Sequence, residues 1–277
     1  MQKVRKYKMP EEWREHTFVI CAYKKSEYLE DCIRSLKKQT IKSEILMATS
    51  TPNDYISGLA EKYQIPLFIN EGDSNIAGDW NFAYHQAATP YVTLAHQDDI
   101  YQKEYAAHAR EMMDKCRTPL IFFCNYYELR GKKLIKDNSL LKVKRYLAAP
   151  LALKKAGKSR LVRRRLLGLG NYICCPSVTY AKENLPKTLF KAGFRSNVDW
   201  EAWEEISRLD GSFLYDKAFL MAHRIHEGSE TTAVIEETGR GEEDYEMLCR
   251  FWPKRIAGLL ERVYKQGEKS NQTEINE

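Results

Sequence analysis

Residues 91–99 read Tyr91-Val92-Thr93-Leu94-Ala95-His96-Gln97-Asp98-Asp99. Five residues suited to a buried strand are followed directly by four polar ones, of which two are carboxylates. Three similar apolar runs precede this stretch, at 17–22, 44–48 and 67–70, and segments with helical spacing separate them. Four strands alternating with three helices predict an α/β fold, with a mostly parallel sheet and helices on both faces.

Polar segments follow each of these strands, at 23–25, 49–54, 71–75 and 96–99. Ligands of open parallel sheets bind beyond the carboxyl ends of the strands, so we expect a polar ligand along this edge. The pattern continues with a helix near 102–113 and a strand at 120–125. After a break, regular structure is next expected at 172–180 and in a helix that begins at Asp199. Apolar runs follow at 212–215 and 219–225. The tail at 243–265 has a helical pattern that Pro253 divides.

Length and composition limit the classes of protein to which this chain can belong. The chain has 277 residues, 43% of them apolar, which is enough for one large domain. No signal-peptide pattern follows the basic residues at 1–8, and no apolar run is long enough to span a bilayer. Seven cysteines without a CxxC pair are typical of free thiols in a reducing compartment. These features predict a cytoplasmic protein.

The adjacent carboxylates Asp98 and Asp99 are the first candidates for chemistry. They would repel each other unless a cation or hydrogen bonds offset their charge, and Mg²⁺ or Mn²⁺ binds one or two carboxylates together with substrate phosphates. The alternative is that one of them caps the helix expected near Gln102. Spacing alone leaves both open.

Two further candidates lie in the second half of the chain. Asp199 precedes Trp200 at an expected helix start, where it is either a proton acceptor or a helix cap. His223 and His226 are three residues apart and would face opposite sides of a strand, so they cannot easily bind one metal together. His226 is therefore either the partner of a distant carboxylate at a metal or a hydrogen-bonded loop histidine. The absence of GxSxG, GxxxxGK[ST] and GxGxxG patterns speaks against serine hydrolases, P-loop proteins and NAD-binding enzymes.

In this order the motifs resemble those of glycosyltransferase family 2. The family's first strand, loop and helix are matched at 21–24 and 28–36, and the helix ends in Gln39-Thr40. Later family elements are matched at 76–81 (the glycine-bearing turn), 94–101 (the DxD segment), 199–203 (the Asp before a tryptophan-rich helix) and 224–229 (the late Arg-x-His segment). The chain departs from the family at 49–54, which replaces an acidic turn, and at His96, which stands at the first acidic DxD position.

The resemblance implies a GT-A fold and an inverting, metal-dependent hexosyltransferase that uses a nucleotide-diphosphate sugar, with a UDP-sugar favoured. It implies Asp199 as the catalytic base and Mn²⁺ or Mg²⁺ held by Asp98 and His226, with Asp99 as an alternative ligand. Contacts to the nucleotide-sugar are expected from Ala22, Tyr23, Thr49, Ser50, Gly78, Asn81, His96, Gln97 and Asp98.

The implied organisation is an N-terminal extension (1–16), a GT-A domain (17–230) and a helical tail (231–277). Within the domain, a nucleotide-sugar-binding half (17–125) precedes an acceptor half (126–230). Expected partners are the donor and a glycan or lipid-linked acceptor, as in cell-surface or extracellular polysaccharide synthesis, and no nucleic acid. A homo-oligomer is left open. The alternative function is a degenerate GT-A domain that binds a nucleotide or glycan without catalysis.

The acceptor half contains a basic segment (132–168). The chain has a net charge of +6, but thirteen Lys or Arg and one Asp lie between Lys132 and Arg165, so the remainder is acidic. One interpretation is that this segment attracts an anionic lipid carrier or polysaccharide at the inner membrane face, aided by its interspersed leucines. The other is a solvated, mobile loop.

Overall fold

The computed structural model describes residues 15–72, 74–226 and 240–262. Within these residues nine strands form one sheet. They are β1 (His16–Ala22), β2 (Glu44–Thr49), β3 (Leu67–Ile69), β4 (Tyr91–His96), β5 (Ile100–Tyr101), β6 (Pro119–Arg130), β7 (Lys133–Ile135), β8 (Thr179–Ala181) and β9 (Ser212–Ile225).

The helices fall between these strands much as the apolar spacing predicts. They are α1 (Leu29–Lys37), α2 (Asp54–Tyr63), α3 (Ile76–Gln86), α4 (Tyr105–Asp114), α5 (Ser139–Ala148), α6 (Lys154–Lys158), α7 (Arg160–Leu167), α8 (Val198–Ile206) and α9 (Arg240–Cys249). Residues 254–262 are also helical, so Pro253 divides the tail as expected, while 263–265 lie outside the described residues.

The sheet is mixed but mostly parallel, with the order β3-β2-β1-β4-β8-β6-β9-β5 and with β7 paired to β6. Strands β1 to β4 pair in parallel, and β6 pairs in parallel with β9. The short β8 runs antiparallel between β4 and β6, so it joins two groups of strands that point the same way. The predicted α/β class is therefore confirmed.

Helices cover both faces of the sheet. Successive residues of β1 show this, because Phe18 and Ile20 pack with α1, α2 and α4, whereas Val19 packs in a second cluster with α3, α7 and α8. All three side chains are completely buried. The alternation is what a central strand between two apolar layers requires.

Two expectations about the second half need correction. The apolar runs at 212–215 and 219–225 form one strand, β9, whose register against β6 shifts near Asp216. The basic segment is not a loop, because it folds as β7, α5, α6 and α7. The thirteen Lys or Arg residues of this segment obscure the apolar spacing that would have predicted these helices.

Arg163 explains why the basic segment packs. Its side chain is completely buried, and its guanidinium donates to the carbonyls of Ser207 at 2.8 Å and Gly211 at 2.6 Å, and also to that of Leu209. Burial lowers the pKa of Arg163 to about 10. A buried arginine with several carbonyl partners fixes α7 against the chain that follows α8.

Candidate functional site

Strand β9 brings the late histidine segment to the loop that follows β4. Asp98 lies between β4 and β5, and β5 pairs with β9, which ends one residue before His226. Nε2 of His226 lies 3.0 Å from Oδ2 of Asp98, and Nε of Arg224 donates to the Asp98 carbonyl at 2.8 Å. Residues 227–229 of the predicted segment lie outside the described residues.

Tyr28, the residue before α1, packs against this pair, although the sequence motifs do not identify it as a site residue. Its ring lies 5.0 Å from the ring of His226, and the guanidinium of Arg224 lies 4.1 Å from its centroid. An arginine over an aromatic face gains cation–π energy, which is larger where water is excluded. Tyr28 and Arg224 therefore restrict where His226 can lie.

Asp99 serves a different purpose from its neighbour. Its side chain is completely buried, and Oδ1 accepts the backbone N–H of Arg224 at 2.9 Å and contacts Nδ1 of His223 at 3.0 Å. Burial would lower the pKa of His223, but the charge of Asp99 and its hydrogen bond raise that pKa overall. These bonds anchor β9 to the loop after β4. Because the buried carboxylate of Asp99 is already bonded to β9, Asp99 does not fit the role of an alternative metal ligand.

Helix capping does not explain these carboxylates. The residue before α4 is Glu104, which makes no side-chain cap bond, so neither Asp98 nor Asp99 caps that helix. The position before α8 is Asn197, and Asp199 is the second residue within the helix. The cap interpretation of all three aspartates was therefore wrong.

Asp199 is held by a residue that the motifs did not identify. Both of its oxygens accept from the side-chain amide of Asn171 at 3.1 Å, and Oδ1 also accepts the backbone N–H of Trp200 at 2.7 Å. Asn171 follows α7, so its position depends on the packing of the basic segment. The Oδ1 atom of Asn171 is buried and has no hydrogen-bond partner among the described residues.

His96 is the last residue of β4, and its ring is partly buried beside Trp80. Its ring stacks on Trp80 with centroids 5.2 Å apart, and its buried Nε2 has no hydrogen-bond partner in the described part of the chain. Burial lowers the pKa of His96, while the carboxylates of Asp99, Asp98 and Asp199 oppose that shift. Burial therefore outweighs the surrounding negative charge, and the pKa of His96 stays below its usual value.

The loops after β1, β2 and β4 are joined to one another. The side-chain amide of Gln97 accepts the backbone N–H of Tyr23 at 3.0 Å and donates to its carbonyl at 2.9 Å. Lys24 has a positive φ of 53°, and its N–H donates to Oγ1 of Thr51 at 2.5 Å. Thr49 accepts from the backbone of Thr51 at 3.1 Å. These bonds fix the shape of the edge at which the predicted donor residues lie.

Asp79 is a second residue that the motifs did not identify. From the first turn of α3, its carboxylate accepts from Oγ of Ser50 and from Nδ2 of Asn70, both at 2.7 Å. Burial, and then the charge of Asp79, raise the pKa of Cys21 to about 12. The available signal was a carboxylate in the first turn of a helix that starts at the ligand edge.

Other predicted donor residues have local partners. Asn81 accepts the backbone N–H groups of Leu189 and Phe190 at 2.9 and 3.1 Å and donates to the Phe190 carbonyl at 2.7 Å. The N–H of Gly78 donates to the capping side chain of Asn75. Ala22 is the buried last residue of β1. Asn81 thus fixes the loop that precedes α8.

The Asp98–His226 pair meets the requirements of a hard divalent cation only in part. Among the described residues, no group of three or more His, Cys, Asp or Glu side chains could hold a metal ion. The pair offers one oxygen and one nitrogen, with the two side chains 18% and 23% exposed. Mg²⁺-like ions take one or two protein ligands and complete their shell with phosphate and water, so the pair fits such a site when a diphosphate is present.

Comparison with known proteins gives one family match and many similar folds. The family model described as glycosyl transferase family 2 matches residues 17–178. A comparison with curated proteins finds no match. The structure of S. aureus TarS 1–349 in complex with UDP-GlcNAc is 16% identical, with a TM-score of 0.61 over 92% of this chain and 73% of that chain.

A second similar structure is a mannosyltransferase from Pyrobaculum calidifontis, PcManGT, in complex with GDP-Man and Mn²⁺. It is 11% identical, with a TM-score of 0.57 over 91% of this chain and 69% of that chain. The chain spans 60% of TarS 1–349 in another structure of that protein and 42% of a longer TarS chain. At these identities the likeness concerns the fold.

Proposed function

The chain belongs to glycosyl transferase family 2, with a GT-A fold, and we propose that it is an inverting hexosyltransferase that moves a sugar from a nucleotide-diphosphate donor to an acceptor hydroxyl. The observation that carries this proposal is that Asp98 pairs with His226 at the end of β4, while Asn171 orients the carboxylate of Asp199. In this proposal Asp98 binds on the side of the donor diphosphate and Asp199 deprotonates the acceptor, which are the two roles that a transfer reaction requires.

Asp98 and His226 would hold Mg²⁺ or Mn²⁺, and this cation would neutralise the negative charge on the departing nucleoside diphosphate. The loops joined by Gln97 give the donor a fixed edge, on which the exposed ring of Tyr23 offers a stacking surface. The buried Nε2 of His96 has no hydrogen-bond partner among the described residues, so it is available to a ligand group in this proposal.

Asp199 acts as the general base in this proposal. Asn171 holds both carboxylate oxygens, so Asp199 is oriented before the acceptor arrives. As the acceptor oxygen attacks the anomeric carbon, Asp199 takes its proton. The bond to the nucleoside diphosphate breaks, through an oxocarbenium-like transition state. One displacement assisted by one base inverts the anomeric centre.

The alternative is a degenerate domain that binds nucleotide or glycan without catalysis. A nucleotide-release assay separates the two, using a panel of sugar nucleotides with Mn²⁺ or with EDTA. We expect release of nucleoside diphosphate from a UDP-sugar in Mn²⁺ and its loss in EDTA. Tight nucleotide binding without release from any donor, with or without candidate acceptors, would support the binding domain instead.

We also propose that the basic segment contacts an anionic membrane surface near the acceptor. Five of the large apolar side chains exposed in the described structure lie there, namely Leu134, Val143, Tyr146, Leu153 and Leu161, and Leu169 follows the segment directly. Lysines at 142, 154, 155 and 158 are exposed among them. Exposed apolar and cationic side chains together are typical of interfacial helices.

The position of the basic segment supports this proposal. Lys144 of α5 donates to the hydroxyl of Tyr126, whose ring packs edge-on against His223. At its other end the segment leads to Asn171, the partner of Asp199. No helix in the described residues is long and apolar enough to cross a membrane, and the proposed contact needs only surface binding.

A further inference from the structure

We propose that Asp79 recognises the base of the donor, by accepting a ring N–H, and that the donor base is therefore uracil or guanine rather than cytosine or adenine. This inference rests on the proposed function, because it assumes that a nucleoside diphosphate binds along the edge formed by β1 to β4. Asp79 has no role in the family motifs, in the proposed metal site or in the proposed general-base step.

The carboxylate of Asp79 lies where three strands end. Ser50, directly after β2, and Asn70, directly after β3, each donate one hydrogen bond to it at 2.7 Å. Its charge also acts on Cys21, the penultimate residue of β1. The side chain therefore belongs to the ligand edge, although α3 supplies it.

The direction of the donor along the sheet places its base over these strand ends. If the phosphates lie at Asp98, beyond β4, then the end of β2 is two strand spacings away, about 10 Å. On the other side of β4 the neighbouring strand is β8, which runs antiparallel and has its carboxyl end at the opposite edge. The base is thus directed towards Asp79.

The chemistry of a carboxylate then selects the base. An ionised carboxylate only accepts hydrogen bonds, and two donors leave it with further lone pairs. The side chain of Asp79 is partly exposed, so a ligand can reach these lone pairs. Uracil and guanine present a ring N–H, whereas the corresponding ring nitrogens of cytosine and adenine carry a lone pair, which would face a negative charge.

A hydrogen bond to a charged group predicts that UDP or GDP binds about 10- to 100-fold tighter than CDP and ADP. The measurement is calorimetric titration of the full chain in Mn²⁺ with all four nucleotides. In Asp79→Asn we expect this preference to fall to within a few-fold, because an amide can present an N–H to cytosine. Asp79→Glu retains a carboxylate, so the order of preference should survive at lower affinity.

The matched control is Asp210→Asn, which changes a carboxylate that is 89% exposed and precedes the amino end of β9, and which should keep the wild-type ratio. An Asp79→Asn protein that melts like the wild type and keeps the wild-type ratio would overturn the inference and leave the proposed function intact. Asp79→Glu with no remaining preference would overturn it as well. Failure of the wild type to bind any of the four nucleotides would instead contradict the proposed function.

Discussion

His226 contacts Asp98 at 3.0 Å, although the two residues are 128 positions apart in the chain. The contact depends on β5, a strand of two residues that pairs with β9 and thereby fixes the loop after β4. A short strand thus decides whether a carboxylate from the first half and an imidazole from the second half meet.

Asp98→Ala should weaken the binding of UDP in Mn²⁺ by about 10- to 100-fold, because the proposed cation would lose its carboxylate ligand. His226→Ala should cause a smaller loss of the same kind. Calorimetric titration with and without Mn²⁺ measures both effects. Asp210→Asn, which changes a carboxylate that is 89% exposed, serves as the control and should bind as the wild type does. An unchanged affinity of Asp98→Ala in Mn²⁺ is the outcome that excludes the metal role.

Asp199→Asn should lower kcat by about 10²- to 10⁴-fold, because the amide cannot take the acceptor proton. The Kd for the donor should stay within a few-fold of the wild type. Steady-state kinetics and donor titration on the same preparations separate the two quantities. Asp210→Asn is a suitable control, since that carboxylate is 89% exposed and pairs with Arg160. Turnover of Asp199→Asn within a few-fold of the wild type would remove Asp199 as the base.

Asn171→Ala should also lower kcat, by about 10- to 100-fold, because Asp199 loses the donor that orients both of its oxygens. The melting temperature and the donor Kd should change little. If kcat keeps its wild-type value, Asn171 has no positioning role.

The basic segment should bind vesicles that contain anionic lipid, and should release them at high salt. Replacing Val143, Tyr146 and Leu161 by Ser should lower the bound fraction several-fold, because three exposed apolar side chains leave the interface. Co-sedimentation measures this, and Ile69→Ser on β3 is the matched control. Equal binding to a soluble polyanion, unaffected by the Ser substitutions, would indicate a polymer ligand instead of a membrane.

His16 should make the protein less stable in acid. Its ring is buried between Ser43 and Thr93, and burial lowers its pKa from 6.5 to about 3. Between these values only the unfolded chain binds the proton, so the free energy of unfolding should fall as the pH drops below 6.5. The loss can reach about 5 kcal/mol near pH 3.

Urea titrations from pH 3 to 8 test this prediction by comparing slopes. His16→Gln should reduce the dependence on pH below 6.5, whereas the exposed His85→Gln should leave it nearly unchanged. Equal slopes in the wild type and in His16→Gln would show that another group causes the acid sensitivity.

Local patterns were sufficient for the first half of the fold. The apolar runs of β1 to β4 and the helical spacing between them predicted the alternation, and the position of Asp98 after β4 followed from it. Asp199 and His226 were placed by resemblance, since spacing alone left helix capping and a structural histidine open. The structure adds the partners of these residues, which are distant in sequence.

Distant contacts account for what the sequence did not reveal. The burial of Arg163 depends on carbonyls more than forty positions away, so a charge run looked solvated. Asp79 and Asn171 acquire partners only when strand ends or helices meet. In β9, the polar Asp216 and Lys217 interrupt the apolar pattern at the point where the register against β6 shifts.

Strand β6 is bordered on both sides by strands that come later in the chain, because β8 and β9 flank it. During synthesis its apolar residues 120–124 therefore leave the ribosome before either neighbour exists. Until residue 225 has emerged, this strand has unpaired backbone groups on the side of β9, and such an edge can associate with other chains. A nascent chain stopped before Ser212 should consequently need a chaperone to remain in solution.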